Sequence, residues 1–369
     1  MSLNVQCLNQ VDPVEWDQQA ASLGGRFYHC HAATIYSARL LGARPLFIRA
    51  IDETGRCVGV ATGTIASPNH WPFSRYCRQA MFAATPVANS DEQTEAELLR
   101  AIEKRLRAQG ACRVEFSSYH SPNSNRLLAE GGYALAGRHE YEVDLTRDID
   151  ELFSALPSYR RSEVRRAEKR GVTVEEVSTP EGADTVRRFH DLSMEHRGAS
   201  THRLGDTILE ARRELIASGR VRILVSLLHG EPVGAESFGV FNHMAYGLEA
   251  GSSELGKRNF SSVYLNWFAI RLFRQDGLAR LGLGGAKQQE ESLRKFKQRF
   301  GAIETPQPTG VRIISRFGGR LDALRQRLRK ARPAHQAQKP DRGLQPQHRP
   351  TAETAADDAP AEISKGEGT

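Results

Sequence analysis

The residues of this chain that could do chemistry are mostly cations, and they gather in its second half. Leu281 to Ala302 reads LGLGGAKQQEESLRKFKQRFGA. It begins as a short apolar strand ending at Gly284-Gly285, turns through a polar run, and continues as a helical segment bearing Lys295, Lys297 and Arg299. Paired glycines at a strand end let the backbone approach a neighbour closely, because no Cβ intervenes. The Phe296-Lys297 pair can seat a ring in the core while the ammonium points the other way, toward a cleft mouth. There it would hold negative charge, on a phosphate or on an oxyanion. On a helix this basic, Lys297 also fits a solvated face.

Two further basic groups precede it. The stretch Ser158 to Arg170 predicts a helix carrying Arg160, Arg161, Arg165, Arg166, Lys169 and Arg170. Arg161 and Arg165 share a face at i, i+4, so two guanidinium forks could meet phosphate oxygens. Glu163 and Glu168 partly neutralise the same helix, which is also what a solvated surface helix looks like. The loop Gly256-Lys257-Arg258 leads into an apolar helix opening at Ser261-Ser262. A helix N-terminus beside cations suits an anion, although serine at that position is also an ordinary cap.

Other chemistries lack their patterns. There is no GxSxG, no HExxH, no Walker loop and no GxGxxG after a strand. The cysteines, Cys7, Cys30, Cys57, Cys77 and Cys112, are odd in number and show no CxxC spacing, so neither a zinc site nor a disulfide framework is expected. No bound cofactor or metal is predicted. No carboxylate stands out as a general base.

The elements that must position these groups read as α/β. Arg44 to Ala50 and Cys57 to Ile65 form a predicted hairpin about Asp52–Arg56. An amphipathic helix from Thr94 to Gln109 and the strands Arg113–Ser117 and Tyr141–Leu145 follow. A second cycle repeats that order: the hairpin Val221–Leu228 with Pro232–Phe241, the strand Met244–Ala250, the apolar helix Ser261–Gln275, then the strand into Gly284. Two copies of one α/β unit are therefore expected, one over residues 1–147 and one over 148–315. Residues 316–332 predict a basic amphipathic helix with seven Lys/Arg and one acid, Asp322. Its leucines, Leu321, Leu324 and Leu328, could face RNA or an anionic membrane, but packing on the second unit is the favoured reading. Residues 333–369 have almost no large apolar side chain and predict a disordered tail.

With 369 residues, 39% hydrophobic and 26% charged, the chain has room for two ordinary soluble domains. No run of eighteen apolar residues occurs, and the N-terminus lacks the basic and apolar regions of a signal peptide, so the expected location is the cytoplasm. The net charge of +7 favours polyanionic partners without selecting one.

The order of motifs carries one resemblance. YEVDL followed by RRSEVRRAEKRGV, then PVGAESFGVF, YLNWFAIRLFRQDGL, LGLGGA and ESLRKFKQRFGA resemble the FemAB-type acyltransferases from about Arg44 to Gly301. The resemblance implies two tandem domains of the GNAT acyltransferase type and transfer of an acyl group to an amine. The best known members move amino acids from aminoacyl-tRNA onto peptidoglycan precursors, and others serve envelope or exopolysaccharide pathways. Lys297 matches the lysine of the family's FK motif, implying charge stabilisation. Arg160 and Arg161 match its arginine-bearing helix, implying a grip on acceptor phosphate; Arg165, Lys257, Arg258, Phe296, Gly284 and Gly285, from the reading of the basic groups and the glycine stretch above, complete the expected substrate-binding set. Two departures stand out. Gly282 replaces the aspartate that often precedes the glycines, and LGKRNFSS (Leu255 to Ser262) lacks the R/Q-x-x-G-x-G/A loop with which GNAT enzymes hold CoA pyrophosphate. The expected donor is aminoacyl-tRNA and the acceptor a phosphorylated envelope precursor. The rival readings are an acyl-CoA-dependent N-acyltransferase on an amino sugar and a non-catalytic GNAT-like module binding RNA or an anionic precursor.

Overall fold

A computed structural model describes residues 3–88, 92–119, 121, 124–196 and 206–331, so the tail expected at 333–369 lies outside the described residues. Along the chain the first strands are β1 (Asn4–Leu8), β2 (Arg44–Ile51), β3 (Cys57–Ala66), β4 (Arg78–Phe82) and β5 (Val87–Ala88). Then come β6 (Ala111–Phe116), β7 (Ala134–Ala136), β8 (Arg138–Asp144), β9 (Val172–Glu176) and β10 (Val221–Leu228). The last are β11 (Glu231–Phe241), β12 (Met244–Ser252), β13 (Arg280–Lys287), β14 (Ile303–Pro306) and β15 (Thr309–Ile313).

They form two sheets. The first runs β1-β2-β3-β4-β6-β15-β7, with β5 attached to β3, and the second runs β14-β8-β13-β12-β11-β10-β9. In each, a hairpin opens an antiparallel ladder that ends in a parallel pair, β4 with β6 and β12 with β13. The helices Glu92–Ala108 and Ser261–Gln275 lie in the two crossovers, as a parallel connection requires. The repeated element order read from the sequence is thus a repeated topology.

The boundary expected at 147/148 is not where the sheets divide the chain. β8 pairs with β13 and β14 in the second sheet, whereas β15 returns to the first between β6 and β7. Each sheet completes itself with a strand from the other unit's stretch of sequence, satisfying edge groups that would otherwise be open. The two units also share a core, in which Trp16, Phe27 and Phe47 of the first meet Phe189, Ile223 and Phe241 of the second. A Cβ at Gly239 would stand 2.5 Å from the Phe27 ring, so β11 and the first unit meet backbone against ring.

The helix Arg316–Ala331 also departs from expectation. It packs on the first unit, not the second: Cys77 Sγ donates to Gly318 O at 3.6 Å and Gln79 Nε2 to Asp322 Oδ2 at 3.2 Å. Its inward face is built from glycines and the buried Asp322, and Leu324 and Leu328 are exposed.

Candidate active site

The glycine stretch is a bulge inside β13, which continues to Lys287 and does not end at the glycines as expected. Gly282 pairs with Glu142 and Gly285 with Glu140, so Leu283 and Gly284 together face the one residue Tyr141. Gly284 takes φ +76°, the left-handed conformation that such a bulge demands and that only glycine adopts cheaply. On the other side, β12 and β13 are paired only over Met244–Tyr246 and Arg280–Gly282, and the ladder stops where the bulge begins. The end of that ladder opens onto a cavity of about 300 Å³.

Lys297 reaches this place from the helix Glu291–Gln298, and it is only 7% exposed. Both members of the pair line the cavity: the lysine is the more deeply buried of the two, and Phe296 is half-buried, packed on the core and set edge-on to Phe300 at 5.3 Å. The ammonium donates to the carbonyl of Gly285 at 2.7 Å and lies 5.6 Å from the ring centre of buried Tyr141. That ring is held in turn by Arg294, whose Nε donates to the Tyr141 hydroxyl at 3.1 Å. Burial pulls the Lys297 ammonium down to about 8, against the opposing pull of Glu140 and Glu236. A solvated surface lysine would show none of this.

Glu236, on β11, is the carboxylate the sequence reading did not find. It is buried, lines the same cavity as Lys297, and accepts from Asn266 Nδ2 at 3.2 Å. Burial raises its carboxyl to about 7, although the Lys297 charge and the Asn266 hydrogen bond oppose the rise. Small residues make its room: a Cβ at Gly247 would stand 3.0 Å from Glu236 Oε1, and one at Gly284 would stand 3.5 Å from Lys297 Nζ. The signal was present in PVGAESFGVF, where one carboxylate interrupts a strand otherwise built of apolar and small residues. Read by alternation, it fell on no polar face.

A second buried carboxylate backs the lysine. Glu140 on β8 pairs with Arg138 Nη2 at 2.5 Å and accepts from Tyr246 OH at 3.3 Å. Arg138 stacks over Tyr119 of the first unit at 4.2 Å, and Tyr119 stacks on Tyr28 at 4.8 Å. The join between the units therefore passes directly behind the site. A Cβ at Gly285 would fall 2.2 Å from the Arg138 guanidinium, so a side chain there would displace that arginine.

The arginine helix is not brought to the cavity. Arg160 is 3% exposed, pairs with Glu163 at 2.7 Å, and lies over the rings of Phe296 and Phe300 at 5.0 and 4.9 Å. Arg161 donates to the carbonyls of Ser154 and Leu156, closing the end of the preceding helix. Arg165 lies exposed over Phe153 at 5.4 Å. The guanidinium groups of Arg160 and Arg161, expected to grip phosphate, are engaged within the fold by Glu163, two carbonyls and aromatic faces. Lys257 does line the cavity, paired with Glu254 at 2.6 Å. Arg258 contributes its carbonyl, which accepts from Arg170 at 2.7 Å. The stretch Leu255 to Ser262, which lacks the R/Q-x-x-G-x-G/A pattern, takes in most of the one-turn helix Glu254–Arg258 and a left-handed Phe260, φ +61°.

Residues 158–298 match the acetyltransferase (GNAT) domain family. Over most of its length the chain has the fold of FemX: TM-score 0.68, 15% identity, covering 86% of this chain and 99% of FemX. L-PGS from Bacillus licheniformis aligns with TM-score 0.53 and 15% identity over 87% of this chain and 97% of that one. A tandem GNAT protein from the clavulanic acid biosynthesis pathway aligns with TM-score 0.51 and 12% identity over 85% and 99%. No curated protein matches the sequence. Residues 158–298 are thus a GNAT domain, and the expectation of two tandem GNAT-like α/β units holds for the fold.

Proposed function

We propose that this protein forms an amide by moving an aminoacyl group from aminoacyl-tRNA to an amine of a cell-envelope precursor, in the cavity between β12 and β13. The observation that carries the chemistry is the convergence of a buried carboxylate, Glu236, and a buried ammonium, Lys297, on one cavity inside the GNAT domain. The acceptor nitrogen attacks the ester carbonyl carbon and forms the new C–N bond. Glu236 takes the proton that this nitrogen sheds, a task suited to a carboxyl whose affinity for protons lies near neutrality. Lys297 faces the negative charge that grows on the carbonyl oxygen, and the C–O bond to the tRNA ribose then breaks, with the ribose oxygen recovering a proton. Holding the ammonium on the Gly285 carbonyl before substrate arrives keeps its reorganisation cost low.

The donor assignment is supported by the stretch Leu255 to Ser262, which lacks the glycine pattern of a pyrophosphate-binding loop, and by the fold shared with FemX. The acceptor assignment, the cytoplasmic location and the part played by Lys257 at the cavity belong to the same reading. Equilibrium binding of purified protein to charged tRNA and to acetyl-CoA, followed by mass analysis of product from a nucleotide-linked muropeptide, tests it. Binding and aminoacyl transfer from charged tRNA are the expected result. Acetyl transfer from acetyl-CoA with no engagement of charged tRNA would overturn the donor.

A further inference from the structure

The first unit carries an exposed face that the reaction does not use. On the helix Arg316–Ala331, Phe317, Arg320, Leu324, Arg327 and Leu328 follow one another at i, i+3, i+7, i+10 and i+11, which places them on one side. Phe317 is 63% exposed, Leu324 49% and Leu328 55%. The opposite side, with Gly318 and Asp322, is docked on the first sheet, so this face is fixed outward. Beside it the short helix Phe73–Tyr76 sets Tyr76 edge-on to Phe317 at 5.4 Å, and Arg75 lies over the Tyr76 ring at 5.6 Å. The loop entering that helix presents Trp71, 78% exposed, and Ile313 of β15 is exposed where it touches Gly319. Of the twelve large apolar side chains exposed among the described residues, six therefore lie on these adjoining segments.

The charge on this face has one sign. Arg75, Arg316, Arg320 and Arg327 are exposed. The one acid of the helix, Asp322, is buried and engaged by Arg325, Gln79 and Gln326. A face of exposed aromatic and aliphatic side chains among arginines, with no exposed carboxylate on either helix among the described residues, is the chemistry of a peripheral contact with an anionic bilayer. RNA would engage the arginines and rings but leaves Leu324, Leu328 and Ile313 without a role. A second copy of the chain stacked on the same face would set arginine against arginine. No helix of the described residues is long and apolar enough to cross a membrane, so the contact would be along the surface.

We propose that the face formed by the helices Phe73–Tyr76 and Arg316–Ala331 docks the protein on an anionic phospholipid surface, with the leucines and rings entering the headgroup boundary and the arginines meeting lipid phosphates. This rests on the surface itself and is independent of the donor or acceptor.

Vesicle co-sedimentation of the full chain tests it, using phosphatidylcholine alone and phosphatidylcholine mixed with phosphatidylglycerol. Binding to the mixed vesicles only, weakened by salt, is expected. The exposed double variants Leu324→Ser/Leu328→Ser and Arg320→Glu/Arg327→Glu should keep the parent's unfolding midpoint. Each should weaken vesicle binding roughly tenfold or more, since one cation near an anionic leaflet contributes about fivefold and each buried CH₂ about fourfold. Trp71 emission should shift to the blue on mixed vesicles, a shift absent in Trp71→Phe. Failure to sediment with the mixed vesicles would overturn the proposal. So would charge reversal that abolishes binding while the leucine variant binds like the parent, which marks a polyanion site such as one for RNA. Concentration-dependent dimers that the leucine variant dissolves, without vesicle binding, would assign the face to a second copy instead.

Discussion

Lys297 Nζ donates to the carbonyl oxygen of Gly285 at 2.7 Å, and this bond joins the helix Glu291–Gln298 to the bulge in β13. The left-handed Gly284 is what turns the strand at this point. An ammonium buried to 7% exposure thus has one fixed acceptor, an aromatic face at Tyr141 and two carboxylates in its field, Glu140 and Glu236.

Removing the ammonium should separate catalysis from binding. Lys297→Met keeps much of the side chain's volume and should lower kcat by about two to three orders of magnitude, the usual loss for one charge-stabilising donor, with little change in KM. Lys297→Arg should not recover the rate, because a planar fork does not fit where a compact ammonium sits. Steady-state kinetics of folded variants check this. A Lys297→Met turnover within threefold of the parent would remove the lysine from the mechanism.

Glu236→Gln should lower kcat by about 10²–10⁴, the range of general-base contributions. The parent's kcat/KM should form a bell: rising as Glu236 loses its proton near pH 7 and falling as Lys297 loses its own near pH 8. In the glutamine variant the residual activity should lack the acid limb. An unchanged acid limb would show that another group titrates there.

The same carboxyl should be visible in stability. Its folded-state affinity for protons is raised, so its contribution is full below pH 4.5 and lost as pH rises toward 7. Lys297 is shifted down, so its contribution is present above 10.5 and lost as pH falls toward 8. The parent should therefore lose stability from pH 4.5 to 7, by on the order of 3 kcal/mol from Glu236. Denaturant titrations of parent and Glu236→Gln across that range compare the slopes, and parallel curves would contradict the burial argument.

Arg160→Ala should act on folding. It removes a charged hydrogen bond to Glu163 and a cation held against two rings, together about 2–3 kcal/mol. The unfolding midpoint should drop by several degrees while acceptor KM in the folded enzyme stays within about threefold. A stable variant with a sharply raised acceptor KM would restore the phosphate-binding role.

Gly284→Ala should damage both properties. A left-handed alanine costs roughly 1–2 kcal/mol, and any relaxation of the bulge moves the Gly285 carbonyl away from Lys297. Thermal unfolding and kcat should fall together. An alanine variant with the parent's turnover would show that the bulge is not needed for the site.

Much of this protein is decided along the chain. Alternation and turn chemistry mark the two hairpins: Asp52 accepts from the amides of Thr54 and Arg56, and His229-Gly230 takes the left-handed turn between β10 and β11. The repeated hairpin–strand–helix–strand order, the glycines of LGLGG and the lysine of KFK are local patterns, and the local chain is enough to read them. What tertiary structure alone decided is which charge is buried and beside what. Phe296 and Lys297 are neighbours with opposite chemistry, and composition puts the ring inside, yet Tyr141, Glu140 and Glu236 make the inner position the lysine's. Glu236 precedes Lys297 by 61 residues (297 − 236) in sequence. Its role appears only when β11, β12 and β13 lie side by side with glycines at 247 and 284 between them. The exchange of β8 and β15 between the sheets is settled in the same way, by edge pairing across the whole fold. Hydrogen-bond closure and desolvation act between residues distant in sequence, so spacing along the chain does not encode them.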